Sequence, residues 1–373
     1  MTSLSFLVDQ LFAPAPGGMG TYTRELIPAL TRADPSLEVT LFHSRFEHSV
    51  EEPWMATHRV ETLEHDIRRL YPGWAAAGRP RLPAPLASTD LLHSPIPAAV
   101  PPKGPGQRLV VTVHDLAFLV LPNAYPTAWR LMYRAALRRA VRTADALIAP
   151  SRHTAEDLIR RTKLRADRVH VVPLASSLPE SDADPAETLD RLKVKPPYVL
   201  FVGTLEPRKN LVRLIRAYRR LAAQGAPHRL VLAGPIGWQR QALLREAMLE
   251  GPGEVVLVGQ VLPLELDALY RAADAFVYPS LYEGFGLPVI EAMSRGVPSV
   301  VSASSSLPEV AGEAALPVDP YSVAGMADAL ERITTDGELA GRLRAAALTR
   351  AARFSWDQTA RGTLEVYKQV LSS

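Results

Sequence analysis

AFVYPSLYEGFGLPVIEAM, residues 275–293, is the stretch on which the reading of this chain turns. Ala275-Phe-Val-Tyr278 is a short β-branched and aromatic run stopped by Pro279-Ser280, which predicts a buried strand. Gly284 and Gly286 permit a tight turn, and Leu287-Pro288 open a helix carrying Val289, Ile290, Ala292 and Met293. A strand, a glycine turn and a helix start in that order aim backbone N–H groups and the positive helix end at a ligand, favouring an anion such as phosphate. Glu283 lies in the turn and Glu291 about one turn into the helix. A carboxylate repels an anion, so the two acids are suited to accept hydrogen bonds from sugar or ribose hydroxyls. As arbitrary glutamates they would read as a loop acid and a solvated helix residue; the glycine turn between them favours the ligand.

On these residues the segment resembles the E-x7-E motif of retaining GT-B glycosyltransferases, most closely glycosyltransferase family 4. Tyr278-Pro-Ser-Leu-Tyr-Glu-Gly-Phe-Gly-Leu-Pro is similar to it at nearly every position. The resemblance implies an α/β, GT-B fold of two Rossmann-like domains facing a central cleft. It also implies that Glu291 binds the nucleotide ribose and Glu283 lies by the donor sugar, with Gly284, Phe285, Gly286 and Leu287 around the donor.

Composition agrees with a large enzyme. At 373 residues the chain exceeds the usual single-domain length, and 47% hydrophobic with 22% charged residues supplies a sizeable core rather than disorder. The absence of cysteine excludes disulfides, Cys-ligated zinc and thiol nucleophiles. No basic n-region precedes an apolar run in residues 1–18, and no apolar run approaches the ~20 residues of a membrane span, so a cytoplasmic protein is expected. Residues 1–175 hold 21 Lys and Arg against 16 Asp and Glu. Much of that excess lies in residues 128–143, where Arg130, Arg134, Arg138 and Arg142 share one helical face and Trp129, Met132, Tyr133, Ala136, Leu137 and Ala140 another. Such a helix either packs its apolar side inward, the reading preferred here, or makes peripheral contact with an anionic membrane on the inner face. The small excess and the lack of a nucleic-acid-binding motif argue against nucleic acid.

Two α/β patterns follow one another. Strands are predicted at 4–8, 38–42, 90–93, 109–113, 146–149 and 169–172, with helices at 21–31, 128–143 and 152–161; residues 43–89 resist placement. Strands are predicted again at 198–202, 229–233, 255–258, 275–278 and 299–302. This alternation predicts parallel sheets covered by helices. The expected domains are 1–175 on the acceptor side, a linker at 176–197 holding a short helix, a nucleotide-sugar domain at 198–355, and a C-terminal helix at 356–373. The resemblance implies that this last helix crosses back to the first domain.

Ligands of parallel α/β sheets bind where strands end, so each strand exit is a candidate. After strand 198–202 comes Gly203-Thr-Leu-Glu206-Pro-Arg208-Lys209-Asn210, with Asn210 as the expected N-cap of the next helix. Arg208 and Lys209 are placed to hold a diphosphate and to stabilise it as it leaves with growing charge. The segment resembles the Glu-x-Arg-Lys-Asn run of the same family, which implies donor diphosphate contact and makes Gly203 a donor-binding residue. Pro16-Gly17-Gly18-Met19-Gly20-Thr21 is expected as a loop leading into a helix, with Gly18 and Gly20 near phosphate or sugar; it lacks the dinucleotide fingerprint. His114, at the exit of strand 109–113, resembles the family's active-site histidine and is expected to hydrogen-bond the sugar. Ser151 is expected to cap the helix that follows it. Asp182-Ala-Asp184 has the Asp-x-Asp form of metal-dependent glycosyltransferases but lies in the expected linker, at no strand exit. No metal or cofactor is therefore expected beyond the donor substrate.

The expected function is transfer of a hexose from a nucleotide diphosphate sugar to a hydroxyl of a glycan or lipid-linked acceptor, with His114, Glu283, Arg208 and Lys209 at the reacting centre. Retention of configuration is implied by the resemblance. GDP-mannose is the favoured donor, and the overall pattern resembles bacterial mannosyltransferases of O-antigen or surface polysaccharide synthesis. A UDP-sugar enzyme and a non-catalytic nucleotide-sugar-binding protein are the alternatives.

Overall fold

The computed structural model describes residues 1–14, 16–50 and 52–372. The chain divides into two compact units, Met1–Leu174 with Ser355–Ser373, and Ala175–Phe354.

Among the described residues the first unit holds seven strands: β1 (Ser3–Leu7), β2 (Glu38–His43), β3 (Arg59–Thr62), β4 (Leu91–Ser94), β5 (Arg108–Thr112), β6 (Ala146–Ala149) and β7 (Val169–Val171). They form one parallel sheet in the order β3-β2-β1-β4-β5-β6-β7. The inner strands are buried on both faces, β4 at every residue, as expected when helices cover both sides of a parallel sheet. The helix Trp356–Ser372 packs on the helix Gly17–Ala33, and Thr359 donates its hydroxyl to the Pro173 carbonyl at 2.7 Å.

Six further strands build the sheet of the second unit: β8 (Tyr198–Val202), β9 (Arg229–Ala233), β10 (Val255–Gly259), β11 (Ala275–Tyr278), β12 (Ser299–Ser302) and β13 (Leu316–Val318), in the parallel order β10-β9-β8-β11-β12-β13. In each sheet the order reverses once, between β1 and β4 and between β8 and β11. At such a point the loops leaving adjacent strands diverge and open a crevice, which is where α/β sheets bind ligands.

Four local expectations need correction. The first helix starts at Gly17, not Thr21, so Gly18 and Gly20 belong to its first turn rather than to a loop. Glycine's low helix propensity is overridden by packing, because a Cβ on Gly20 would come within 2.2 Å of the Pro16 Cβ. Strands β3 and β13 were not anticipated; one has a largely exposed edge sequence and the other three residues with Pro317 at their centre, so neither shows an apolar strand pattern. Trp129 lies 50% exposed on the helix Thr127–Thr143, whereas Ala136, Leu137 and Ala140 face inward. Residues 176–197 belong to the second unit: the helix Pro185–Arg191 packs on the helix Pro263–Arg271, and Arg295 donates to the carbonyls of Leu178 and Pro179.

Candidate functional site

The two loops that leave β8 and β11 at the crossover of the second unit are bound to each other. Leu281 N donates to the Arg208 carbonyl at 2.8 Å. Asn210 donates its amide to the carbonyls of Pro279 at 3.1 Å and Pro320 at 2.6 Å. Asn210 does stand at the N-cap of the helix Leu211–Ala223, but it adopts the left-handed conformation with φ 63° and makes no side-chain cap. Its amide ties the loops together instead of satisfying the helix start.

These ties bring Arg208, Lys209 and Glu283 together. Arg208 Nη1 donates to Glu283 Oε2 at 2.6 Å and Lys209 Nζ to Glu283 Oε1 at 2.6 Å, so one carboxylate answers two cations. Arg208 Nε is also paired with Glu206 Oε1 at 2.5 Å, and Lys209 Nζ donates to the Tyr278 hydroxyl at 2.5 Å. All four charged side chains are largely buried, with exposures of 4–16%. In this structure the basic pair does not stand open, and Glu283 is engaged by both cations. Buried cations require counter-charge, and Glu206 and Glu283 supply it. Burial pushes the Glu283 carboxyl up, but the charges and hydrogen bonds of Arg208 and Lys209 outweigh it and bring its pKa to about 2. Lys209 is lowered, by burial first and then by Arg208, against the pull of Glu283 and Glu206.

The glycine turn is held as the sequence required. Gly286 has φ 103°, and a Cβ there would lie 2.6 Å from Leu307 Cδ2. Glu283 N donates to Ser305 Oγ at 2.9 Å, and Ser306 Oγ donates to the carbonyls of Glu283 and Phe285. Leu287 then opens the helix Leu287–Ser294. Glu291 accepts from the buried Tyr270 hydroxyl at 2.9 Å, and its pKa is raised by burial against the Tyr270 hydrogen bond and the Arg295 charge. Gly203, with φ 141°, leads the β8 loop past Gly234, where a Cβ would come within 2.2 Å of the Gly203 carbonyl oxygen. Glycine at 234 is what lets two strand-exit loops run this close.

In the first unit, His114 follows β5. Its Nε2 donates to the Pro95 carbonyl at 2.8 Å, and its ring meets Tyr22 edge-on at 4.9 Å. Burial lowers its pKa to about 4, against the Pro95 hydrogen bond and the Asp115 charge. The ring is neutral near pH 7, and with Nε2 committed as donor, Nδ1 is the acceptor. Behind it lies a buried polar chain that sequence reasoning missed. Tyr22 shares a hydrogen bond with Thr112 at 2.9 Å, Thr112 meets His93 Nε2 at 2.8 Å, and His93 Nδ1 meets the Tyr367 hydroxyl at 2.6 Å. The only local signal was a histidine inside the apolar run of β4. Roles for Glu206, Tyr270 and Tyr278 were missed too, because a hydrogen-bond partner across two strand exits leaves no mark in local spacing. Asp184 of the Asp-x-Asp segment accepts from Ala186 N as the cap of the helix Pro185–Arg191, and Ser151 caps its helix through Thr154 N.

Comparison with known proteins places this geometry. Residues 16–175 match the family model described as Glycosyltransferase Family 4, and residues 189–350 match Glycosyl transferases group 1. The O-antigen chain mannosyltransferase B of Escherichia coli is 34% identical over 269 residues, 70% of each chain. The chain belongs to this glycosyltransferase family. It is a nucleotide-sugar-dependent glycosyltransferase. The serotype-specific mannosyltransferase WbdA of Escherichia coli is 32% identical over 71% of this chain, but the match spans only 34% of that longer relative. In fold, sucrose-phosphate synthase from Thermosynechococcus elongatus matches with a TM-score of 0.74 over the whole of both chains at 23% identity. WaaG, a glycosyltransferase involved in lipopolysaccharide biosynthesis, matches with a TM-score of 0.71 at 14% identity, covering 97% of this chain and 99% of its own. Both strand-exit segments of the second unit thus lie within a GT-B fold.

Proposed function

We propose that this glycosyltransferase moves mannose from GDP-mannose to a hydroxyl of a glycan or lipid-linked acceptor in O-antigen or surface polysaccharide synthesis, with retention of configuration. The observation that carries the site assignment is the meeting of Arg208 and Lys209 with Glu283 at the sheet crossover. A donor diphosphate competes with Glu283 for these cations, and they stabilise the diphosphate as it leaves with increasing charge. Glu283, once released, orients the transferred sugar. Glu291 reads the ribose, and the backbone of Gly284 to Leu287 with Gly203 surrounds the donor. Gly18, in the first turn of its helix, presents its backbone N–H to donor or acceptor, whereas the Gly20 N–H is taken by the Pro16 carbonyl and Gly20 lies beside the donor only through its place in that turn. His114 meets a sugar hydroxyl through Nδ1. The charge on Glu283 excludes it as an acid, and a diphosphate leaving group needs little protonation.

The mannosyl assignment rests on the mannosyltransferase names of the relatives. Incubating the protein with labelled GDP-mannose and with UDP-sugars, and reading the anomeric configuration of the product by NMR, tests donor and stereochemistry together. Transfer from a UDP-sugar alone moves the donor assignment, an inverted product removes retention, and binding without release of sugar removes catalysis. Arg208 and Lys209 supply the positive charge that a divalent ion otherwise supplies, so no metal is required in this reading. Turnover is then unchanged in EDTA; loss on chelation with rescue by magnesium overturns it.

A peripheral seat on the inner face of an anionic membrane is part of this reading. It is supported by exposed Trp129 and Leu131 beside exposed Arg134, Arg138 and Arg142 on the helix Thr127–Thr143. Among the described residues no helix is long and apolar enough to cross a membrane. Cosedimentation with phosphatidylglycerol vesicles, lost in Trp129→Ala/Leu131→Ala, tests it.

A further inference from the structure

A cavity of about 580 Å³ in the first unit is lined by Arg69, Gly73, Arg79, Pro80 and Arg81. Its walls are fixed by the way the helix Ile67–Ala77 ends. Gly73 lies four residues after Arg69, hence on the same helix face, and a Cβ there would come within 2.4 Å of the Arg79 carbonyl oxygen. The missing side chain lets the 78–81 segment fold back on the helix. Arg79 N donates to the Gly73 carbonyl at 3.3 Å, and the indole of the buried Trp74 donates to the Pro80 carbonyl at 3.0 Å. Gly78 has φ 65°, and a Cβ on it would lie 2.6 Å from a guanidinium nitrogen of Arg139. A fourth cation therefore stands behind the bend.

Among the described residues no carboxylate pairs with Arg69, Arg79, Arg81 or Arg139. The Asp66 carboxylate is engaged in capping the helix through Arg69 N. A concave surface lined by one sign of charge concentrates counter-ions, and guanidinium groups suit phosphate oxygens as paired donors. We propose that this cavity binds a phosphate- or diphosphate-bearing group. The volume lies within the ~300–1,000 Å³ of small-ligand sites. A single concavity, rather than a basic stripe interleaved with aromatics, favours one phosphorylated group over a nucleic-acid strand. The helix runs back from the exit of β3, so its C-terminal end lies toward the edge of the sheet where strands begin, opposite to His114. Within the first unit the cavity is thus distinct from the strand-exit position of His114.

The indole of Trp74 is a local reporter. In the full chain labelled with [15N]tryptophan, sodium pyrophosphate shifts the Trp74 indole N–H resonance saturably, and Arg79→Gln/Arg81→Gln weakens that binding at least about tenfold. Arg208→Ala leaves the titration unchanged. No saturable shift, or an equal titration in the double variant, overturns the proposal. Cosedimentation with phosphatidylglycerol and with phosphatidylcholine vesicles assigns the source. Capture by the former that Arg79→Gln/Arg81→Gln abolishes identifies a lipid phosphate, whereas no capture together with pyrophosphate binding identifies a soluble phosphate ester. Vesicle capture without pyrophosphate binding indicates a general membrane surface and overturns the cavity as a site.

Discussion

Lys209 and Glu283 meet at 2.6 Å across the two loops that leave β8 and β11, and the same carboxylate receives Arg208. The pair closes the crossover of the second sheet with an anion at the position proposed for donor phosphate. Glu283 therefore has a stability role in this structure that is separate from any role in transfer.

Replacing Glu283 by Gln removes the charge and leaves two largely buried cations with only Glu206 opposite them. Breaking a buried pair in this way costs about 3–5 kcal/mol. The acid limb changes as well. Its folded pKa of about 2 lies below the ordinary 4.5, so its contribution is present above pH 4.5 and is lost as pH falls through 2. Urea unfolding of wild type and Glu283→Gln should therefore differ by several kcal/mol at pH 6 and converge toward pH 2. A constant gap across that range removes the ion pair as the cause.

Glu291 has the opposite sign. Its pKa is raised by burial, so its contribution is present below the ordinary 4.5 and is lost as pH rises through the folded value. Glu291→Gln should keep or slightly raise the melting temperature at pH 7. In steady-state kinetics it should raise KM for the donor with little change in kcat, whereas Glu283→Gln lowers kcat. A reversed pattern exchanges the ribose and sugar assignments.

Much of this site was legible because it is local. The glycine turn at 284–286, the strand before it and the helix after it share one continuous stretch, and the basic pair shares another. The alternation that predicted parallel sheets survived because their inner strands are predominantly apolar and buried. What could not be read is relational. Nothing in the spacing of Arg208, Lys209 and Glu283 says that they neutralise one another, since 74 or 75 residues and three crossover connections separate them. The glycines before Thr21 misled for a related reason, because what requires Gly20 is a contact with Pro16 and not a loop. The Arg79–Arg81 bend fell in residues 43–89, where short elements and exposed edges erase periodicity.

Arg208→Ala and Lys209→Ala should each lower kcat about 10²–10³-fold with a smaller effect on acceptor KM, because they act on charge that grows as the diphosphate departs. Rates with saturating donor and varied acceptor check this. Unchanged turnover in both variants removes them from leaving-group stabilisation.

Gly286→Ala should destabilise the second unit and the donor turn together. The left-handed φ of 103° strains any side chain, and the new methyl meets Leu307 Cδ2 at 2.6 Å. Strain of this kind costs roughly 1–3 kcal/mol. Pairing Gly286→Ala with Leu307→Ala opens the space but leaves the φ penalty, so the double variant should recover part of the melting temperature and little of the donor affinity. Full recovery of both would mean that the clash alone had required glycine.

His114 and His93 both contribute to the pH dependence of the first unit. Burial lowers His114 to about 4 and His93 to about 3, with the neighbouring His114 charge a further cause at His93. Both folded values lie below the ordinary 6.5, so the stability they contribute is complete above pH 6.5 and is lost as pH falls through 4 and then 3. His114 is accordingly neutral across pH 6 to 8, and it acts by geometry rather than by proton transfer. His114→Asn retains an N–H donor for the Pro95 carbonyl and a side-chain acceptor, so it should keep more activity than His114→Ala. Neither variant should alter the pH–rate profile between 6 and 8. A wild-type limb near pH 6.5 that disappears in His114→Asn would make the imidazole a titrating group and overturn this assignment.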